Sequence, residues 1–240
     1  VLRLDPRASI VLLTGAGISA ESGLRTFRAA DGLWEAHRIE DVATPEAFRR
    51  NPALVQRFYN ERRHQLKEVE PNAAHAALAR LEQIWPGGVL LVTQNVDDLH
   101  DRAGSRNLIH MHGELRKVRC LGCGQVTPWD EAVELDSRCP GCHQAQLRPH
   151  IVWFGERPFE LERIRTALDR CGLFVAIGTS GQVYPAAGFV EQIRPEAHTV
   201  ELNLEPSALS GLFQEQRIGR ATDLVPRWVD ELACRIGATP

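Results

Sequence analysis

The chain has 240 residues, 43% of them hydrophobic and 25% charged, with a formal net charge of −3. That length allows one large core, or a large and a small one, and the composition is that of an ordinary globular protein. So small a charge gives no electrostatic reason to expect nucleic acid as a partner.

Val1-Leu2-Arg3-Leu4-Asp5-Pro6-Arg7 is too short and polar for a secretion signal, and no stretch has the length and apolarity of a membrane span. The expectation is a soluble cytoplasmic protein. Ile10-Val11-Leu12-Leu13 reads as a buried strand running straight into the turn Gly15-Ala16-Gly17. Thr44-Pro45 and Asn51-Pro52 each pair a capping residue with proline at the first helical position. The second predicts a helix carrying Leu54, Val55, Phe58 and Tyr59 and ending near Leu66. Asn72 opens another, with Ala74, Leu78, Leu81 and Trp85 as its apolar stripe.

Val89-Leu90-Leu91-Val92, Leu173-Phe174-Val175-Ala176-Ile177 and Thr199-Val200-Glu201-Leu202 read as further strands. Helices are predicted near 159–170, 185–193 and 222–236. Strands alternating with helices imply an α/β fold, a doubly wound, mostly parallel sheet covered on both faces. Ligands of such sheets sit at the carboxyl ends of the strands, where the polar motifs of this chain fall.

Four of the six cysteines form two pairs, Cys120-x2-Cys123 and Cys139-x2-Cys142, with fifteen residues between the pairs. This spacing supplies four thiolates for one tetrahedral zinc, and closed four-sulfur coordination makes the metal structural. Its binding would fold a segment too short to build its own core. Gly15-x-Gly17-x-x-Ala20 resembles a dinucleotide fingerprint, in which backbone amides approach a pyrophosphate. The acidic residue expected at the end of a second strand is missing, so a conventional dehydrogenase fits poorly.

The longer segment Gly15-Ala16-Gly17-Ile18-Ser19-Ala20-Glu21-Ser22-Gly23-Leu24-Arg25-Thr26-Phe27-Arg28 resembles the cofactor loop of the sirtuin family. Thr93-Gln94-Asn95-Val96-Asp97-Asp98-Leu99-His100, His112-Gly113-Glu114 and Pro149-His150-Ile151-Val152-Trp153-Phe154-Gly155-Glu156 are similar to further motifs of that family. So are Gly178-Thr179-Ser180-Gly181, Val183-Tyr184-Pro185-Ala186 and Asn203-Leu204-Glu205, and the zinc pairs fall between the third and fourth motifs, as in sirtuins. The likeness covers nearly the whole chain. Arg25 and Thr26 depart from it, standing where many deacetylating sirtuins have proline and aspartate.

The resemblance implies an enzyme that consumes NAD to remove acyl groups from protein lysines, releasing nicotinamide and leaving the acyl group on ADP-ribose. Gly15, Ala16, Gly17, Ser19, Ala20, Glu21, Thr26, Phe27, Arg28 and Trp34 would hold the pyrophosphate and nicotinamide ribose. Gln94, Asn95, Val96 and Asp97 would hold ribose and the carboxamide, which both donates and accepts hydrogen bonds. Gly178, Thr179, Ser180, Asn203, Leu204, Glu205 and Ala221 would line the adenosine end. Val152, Trp153, Phe154, Gly155 and Val183 would take the acyl-lysine stem, with the substrate peptide adding as a strand.

A neutral imidazole suits removal of a proton from a ribose hydroxyl. The residues alone leave His110 and His112 open, because an extended chain puts both on one face. The resemblance selects His112 as the base, with Asn95 beside it. His75 and His100 are expected to stabilise helices or loops.

Tyr59 and Arg62 lie three apart on a predicted helix and can reach one pocket, where phenol and guanidinium would clamp a carboxylate. Phe58-Tyr59-Asn60-Glu61-Arg62-Arg63 resembles the acyl pocket of desuccinylating sirtuins, which selects Arg62 over Arg63 and implies action on succinyl and acetyl lysine. Three units are expected: a nucleotide-binding domain from 1–30, 72–114 and 149–240, a helical insertion 31–71 with the acyl pocket, and a zinc module 115–148. Acylated proteins would be the partners, and the chain a monomer. Two other readings are a mono-ADP-ribosyltransferase and a non-enzymatic zinc-ribbon binding protein. The basic stretch Leu115-Arg116-Lys117-Val118-Arg119 is short for the latter.

Overall fold

Ile10–Thr14 (β1) is buried along its whole length, as an unbroken apolar run requires of a strand covered on both faces. The structure, a computed structural model, describes residues 5–25, 33–34 and 37–238. After β1 the chain makes one helical turn, Gly17–Ala20 (α1). A short ribbon, Leu33–Trp34 (β2) and His37–Arg38 (β3), precedes the helices Ile39–Val42 (α2), Pro45–Arg50 (α3) and Pro52–Gln65 (α4). Both predicted caps are formed: Thr44 accepts from the Ala47 N–H, and Asn51 from the Leu54 N–H. Ala73–Ile84 (α5) opens on a reciprocal cap, in which the Asn72 side chain accepts from the His75 N–H and His75 Nδ1 accepts from the Asn72 N–H.

Val89–Thr93 (β4), Leu99–Ala103 (α6) and Leu108–His110 (β5) follow. Gly113–Cys120 (β6), Val126–Pro128 (β7) and Leu147–Ile151 (β8) form a separate antiparallel sheet in the order β7-β6-β8. Leu161–Leu168 (α7) and Leu173–Ile177 (β9) return the chain to the main layer. The helix expected near 185–193 is a 3-10 helix, Ala186–Gln192, rather than an α-helix. His198–Asn203 (β10), Glu215–Ile218 (β11) and Ala221–Arg235 (α8) complete the described fold.

The main sheet is wholly parallel, in the order β11-β10-β9-β1-β4-β5. From β1 the chain moves outward to β5, then crosses back to β9 on the other side of β1 and moves outward again. The crevice that such a reversal of strand order creates lies at the carboxyl ends of β1 and β9. One face packs Leu78 and Leu81 of α5 against Trp228 and Val229 of α8, and the other packs Ile164 of α7 with Phe174 and Phe189. A third cluster joins Val55, Phe58 and Tyr59 of α4 to Leu115, Ile151 and Trp153. No helix among the described residues is long and apolar enough to cross a membrane.

Candidate active site and metal centre

A cavity of about 1180 Å³ opens at the carboxyl ends of β1, β4, β9 and β10 and continues between the main sheet and α4. Every residue assigned above to cofactor or substrate lines it, wherever the side chain is described. Thr26, Phe27 and Arg28 lie outside the described residues, as does the side chain of Trp34.

The floor is backbone. Gly17 N–H donates to the Gly178 carbonyl at 2.8 Å, and a Cβ on Gly17 would stand 2.7 Å from Gly178 Cα. The turns after β1 and β9 can meet only because neither carries a side chain there. Above them, Asn95 Nδ2 donates to the Gly15 carbonyl and to Ser19 Oγ, each at 3.1 Å. With both amide hydrogens used, Oδ1 is what Asn95 can offer a ligand. Asp97 is buried beside it, accepts from the Leu99 N–H, and has its carboxyl raised above the ordinary range by burial.

Behind these groups runs a buried polar stack that the motifs did not reveal. Thr14 Oγ1 bonds Thr93 at 2.9 Å and His100 Nε2 at 3.0 Å, while Thr93 accepts from the Asn95 N–H. His75 Nε2 approaches Ser19 Oγ at 3.4 Å. Burial pushes His75 down to about 4, so the ring is neutral, and Nδ1 as the acceptor of the cap leaves Nε2–H to face Ser19. His75 caps a helix, as expected, whereas His100 ties down a strand end, not the helix or loop expected of it. They also support the residues that line the cavity.

His112 Nδ1 donates to the Gln94 carbonyl at 3.0 Å, which leaves the Nε2 lone pair as the basic atom. The expectation that His110 and His112 share a face is corrected here. β5 ends at His110, and the chain turns through Met111 and His112 instead of staying extended. His110 is thereby directed to Asp101, at 2.9 Å, and only His112 lines the cavity. Gly113 makes the turn with φ +84, and a Cβ there would collide with the His150 carbonyl oxygen. Burial lowers the His112 imidazole below 6.5, with the Gln94 hydrogen bond opposing that shift. A base with a lowered pKa stays neutral down to lower pH. The acid limb of a kcat/KM pH profile is therefore expected below pH 6.5; a limb above 6.5 would exclude this ring as the titrating base.

At the other end, the fully buried Tyr59 hydroxyl accepts from Trp153 Nε1 at 2.9 Å, and burial raises its pKa, so it remains a phenol. Trp153 is held from two sides, by the Arg148 guanidinium 3.4 Å from its ring centroid and by the Phe48 ring at 5.3 Å. Arg148 in turn makes a two-pronged ion pair with Glu156, at 2.7 and 2.9 Å. Arg62 lines the same end; its guanidinium donates to the Phe58 carbonyl and Glu61 and lies over the Phe58 ring.

Arg63 points elsewhere. It donates to the carbonyls of Leu115 and Glu131 and to Asn60, while Asn60 exchanges hydrogen bonds with the Val133 backbone. These contacts clamp α4 to the small sheet. Arg63→Met is expected to cost about 2–4 kcal/mol, a fall in Tm of roughly 4–16 °C for a chain of this size. Calorimetry showing an unchanged Tm would remove the clamp from the account.

The four sulfurs of Cys120, Cys123, Cys139 and Cys142 lie within 4.8 Å of one another, and none is in a disulfide. Cys120 and Cys142 are 3.5 Å apart, and Cys123 and Cys139 3.7 Å. Tetrahedral zinc with bonds of about 2.3 Å needs sulfurs about 3.8 Å apart. The tetrad fits one structural zinc.

The Sir2 family model matches residues 15–185. The chain belongs to the Sir2, or sirtuin, family. An NAD-dependent protein deacylase of Pasteurella multocida is 62% identical over 230 residues, covering 94% of this chain and 98% of the relative. The solved structure of a Sir2 homolog–NAD complex superposes with a TM-score of 0.86 at 38% identity, over 95% of this chain and 90% of the other. Sir2Af2 bound to a myristoylated histone peptide gives 0.75 at 32% identity, over 97% and 94%.

The sirtuin motifs do not account for the whole cavity wall. Gln65 and Arg220 also line it. Neither lies in a quoted motif, and only folding brings them to the rim. The neutral amides and hydroxyls of Gln94, Asn95, Thr179, Ser180 and Asn203, gathered along one continuous cleft, are the donor and acceptor set that two riboses and a carboxamide require. The cavity fits NAD.

Proposed function

We propose that this chain is an NAD-dependent protein-lysine deacylase acting on succinyl and acetyl lysine. The reading is carried by one juxtaposition: the His112 imidazole, with Nδ1 tied down, shares one cavity with the glycine turn and with the Tyr59–Arg62 end. Bound NAD would supply an electrophilic ribose carbon, to which the acyl oxygen would bond as nicotinamide departs. Asn95 and Asp97 hold the carboxamide end, and buried placement keeps both in one orientation. His112 Nε2 would take the proton of a ribose hydroxyl as that hydroxyl bonds to the acyl carbon, and the lysine amine would be expelled as water adds. Trp153, Phe154 and Gly155 guide the lysine stem, and Tyr59 with Arg62 meets the distal end of the acyl group. Cys120, Cys123, Cys139 and Cys142 hold zinc away from the reacting atoms, where it closes the small sheet.

We further infer a cytoplasmic monomer whose partners are NAD and acylated proteins, with no nucleic acid or membrane among them. Four cysteines gathered as metal ligands support that compartment. The chain divides into the nucleotide-binding domain (1–30, 72–114, 149–240), the helical insertion 31–71 and the zinc module 115–148. The large parallel sheet, the α2–α4 cluster and the small antiparallel sheet support that division. The test is a nicotinamide-release assay with NAD and acetyl, succinyl or unmodified peptide. Release with both acylated peptides and not with the unmodified one is expected. Release independent of acylation would overturn the reading.

A further inference from the structure

Glu201 has the least expected environment in the main sheet. It is fully buried in β10, with Ala176 of β9 on one side and Gln216 of β11 on the other. Its neighbours Val200 and Leu202 are the apolar residues that such a strand needs, and they pack into the core of the opposite face. A carboxyl group buried there is costly unless its oxygens are bonded. Both are. One oxygen accepts from Asn203 Nδ2 at 3.1 Å, and the other from the Ser210 hydroxyl.

The consequence falls on Asn203, which lines the cavity. Its second amide hydrogen goes to the Thr179 carbonyl at 2.8 Å. An asparagine amide can turn over, exchanging donor and acceptor ends, unless its partners choose one. Here two acceptors, Thr179 and Glu201, hold the NH2 end and leave Oδ1 for a ligand. Ser210, the other partner of Glu201, accepts from the Ser207 N–H at 2.7 Å, and Ala208 N–H donates to the Ser180 carbonyl. Ser207 and Ala208 form the adjoining wall. Glu201 thus fixes the polarity of one wall and anchors the next.

We propose that Glu201 is a positioning residue for the adenosine ribose of the nucleotide, turning Asn203 so that this corner accepts hydrogen bonds and selects a hydroxyl-bearing sugar. The inference rests on the reading of the cavity as an NAD site. His112 and Asn95 stand at β4 and β5, at the other side of β1, so the β10 corner serves the nucleotide end remote from the proton transfer.

The test is calorimetric binding of ADP-ribose and of its analogue lacking the adenosine 2′-hydroxyl, to wild type, Glu201→Leu, Glu201→Gln and Ser210→Ala. Wild type is expected to favour ADP-ribose by about tenfold, the worth of one well-made hydrogen bond. Glu201→Leu is expected to bind ADP-ribose about tenfold more weakly and to lose the preference. Glu201→Gln keeps an acceptor toward Asn203 and is expected to retain most of it. Ser210→Ala releases only the loop and should keep the preference too.

A merely structural Glu201 would weaken both ligands by one factor, leaving the preference intact, and that result overturns the proposal. So does a wild-type protein that binds both ligands equally, a measurement that stands even where Glu201→Leu does not fold. Failure of wild type to bind ADP-ribose at all would instead overturn the NAD reading itself.

Discussion

His112→Ala is expected to lower kcat/KM for deacylation by about 10²–10⁴-fold, the usual contribution of a positioned general base. The loss should fall on turnover, because the ring makes one hydrogen bond to the protein, to the Gln94 carbonyl, and packs at a partly buried position. ADP-ribose affinity and Tm should change little. His110→Ala is the control. That residue is paired with Asp101, whose carboxylate raises its pKa against the opposing effect of burial. Its loss should affect stability more than turnover. Steady-state assays of both variants separate the two histidines, and a fully active His112→Ala would remove the base from the mechanism.

Arg62→Met is expected to reduce succinyl-lysine turnover by about 100-fold or more while leaving acetyl-lysine turnover within a few-fold of wild type. A succinyl group ends in a carboxylate, an acetyl group in a methyl. Arg62 is almost fully buried at the cavity, so a charge-assisted bond there is little screened. Its acidic neighbour Glu61, which accepts at 3.1 Å, is half exposed. The Tyr59 hydroxyl, which accepts from Trp153 Nε1, lines the same end of the cavity. Parallel assays on acetyl and succinyl peptides decide the point, and equal damage to both activities would dissociate Arg62 from acyl choice.

The strands buried on both faces were the easiest elements to read, because Ile10–Leu13, Val89–Val92 and Leu173–Ile177 are apolar without interruption. β5 and β11 were not anticipated. Three residues of β5 carry no period, and Glu-Gln-Arg-Ile at the sheet edge is too polar to be recognised as a strand. The helix caps at Thr44, Asn51 and Asn72 were legible, since their chemistry is local.

The site was legible where motifs are contiguous, as in Gly15–Gly17 and the cysteine pairs. Choosing between His110 and His112 by alternation alone failed because it assumed an extended chain, and the turn at Met111 decides otherwise. Contacts such as Ser19 with His75, or Glu201 with Ser210, join residues whose pairing depends on how strands and loops meet. No local pattern encodes them.

The central claim is most directly tested by mass spectrometry of the products formed from NAD and a succinyl-lysine peptide. The account predicts equal amounts of nicotinamide, free-lysine peptide and succinyl-ADP-ribose. ADP-ribose attached to the peptide, with the succinyl group still on lysine, would contradict it.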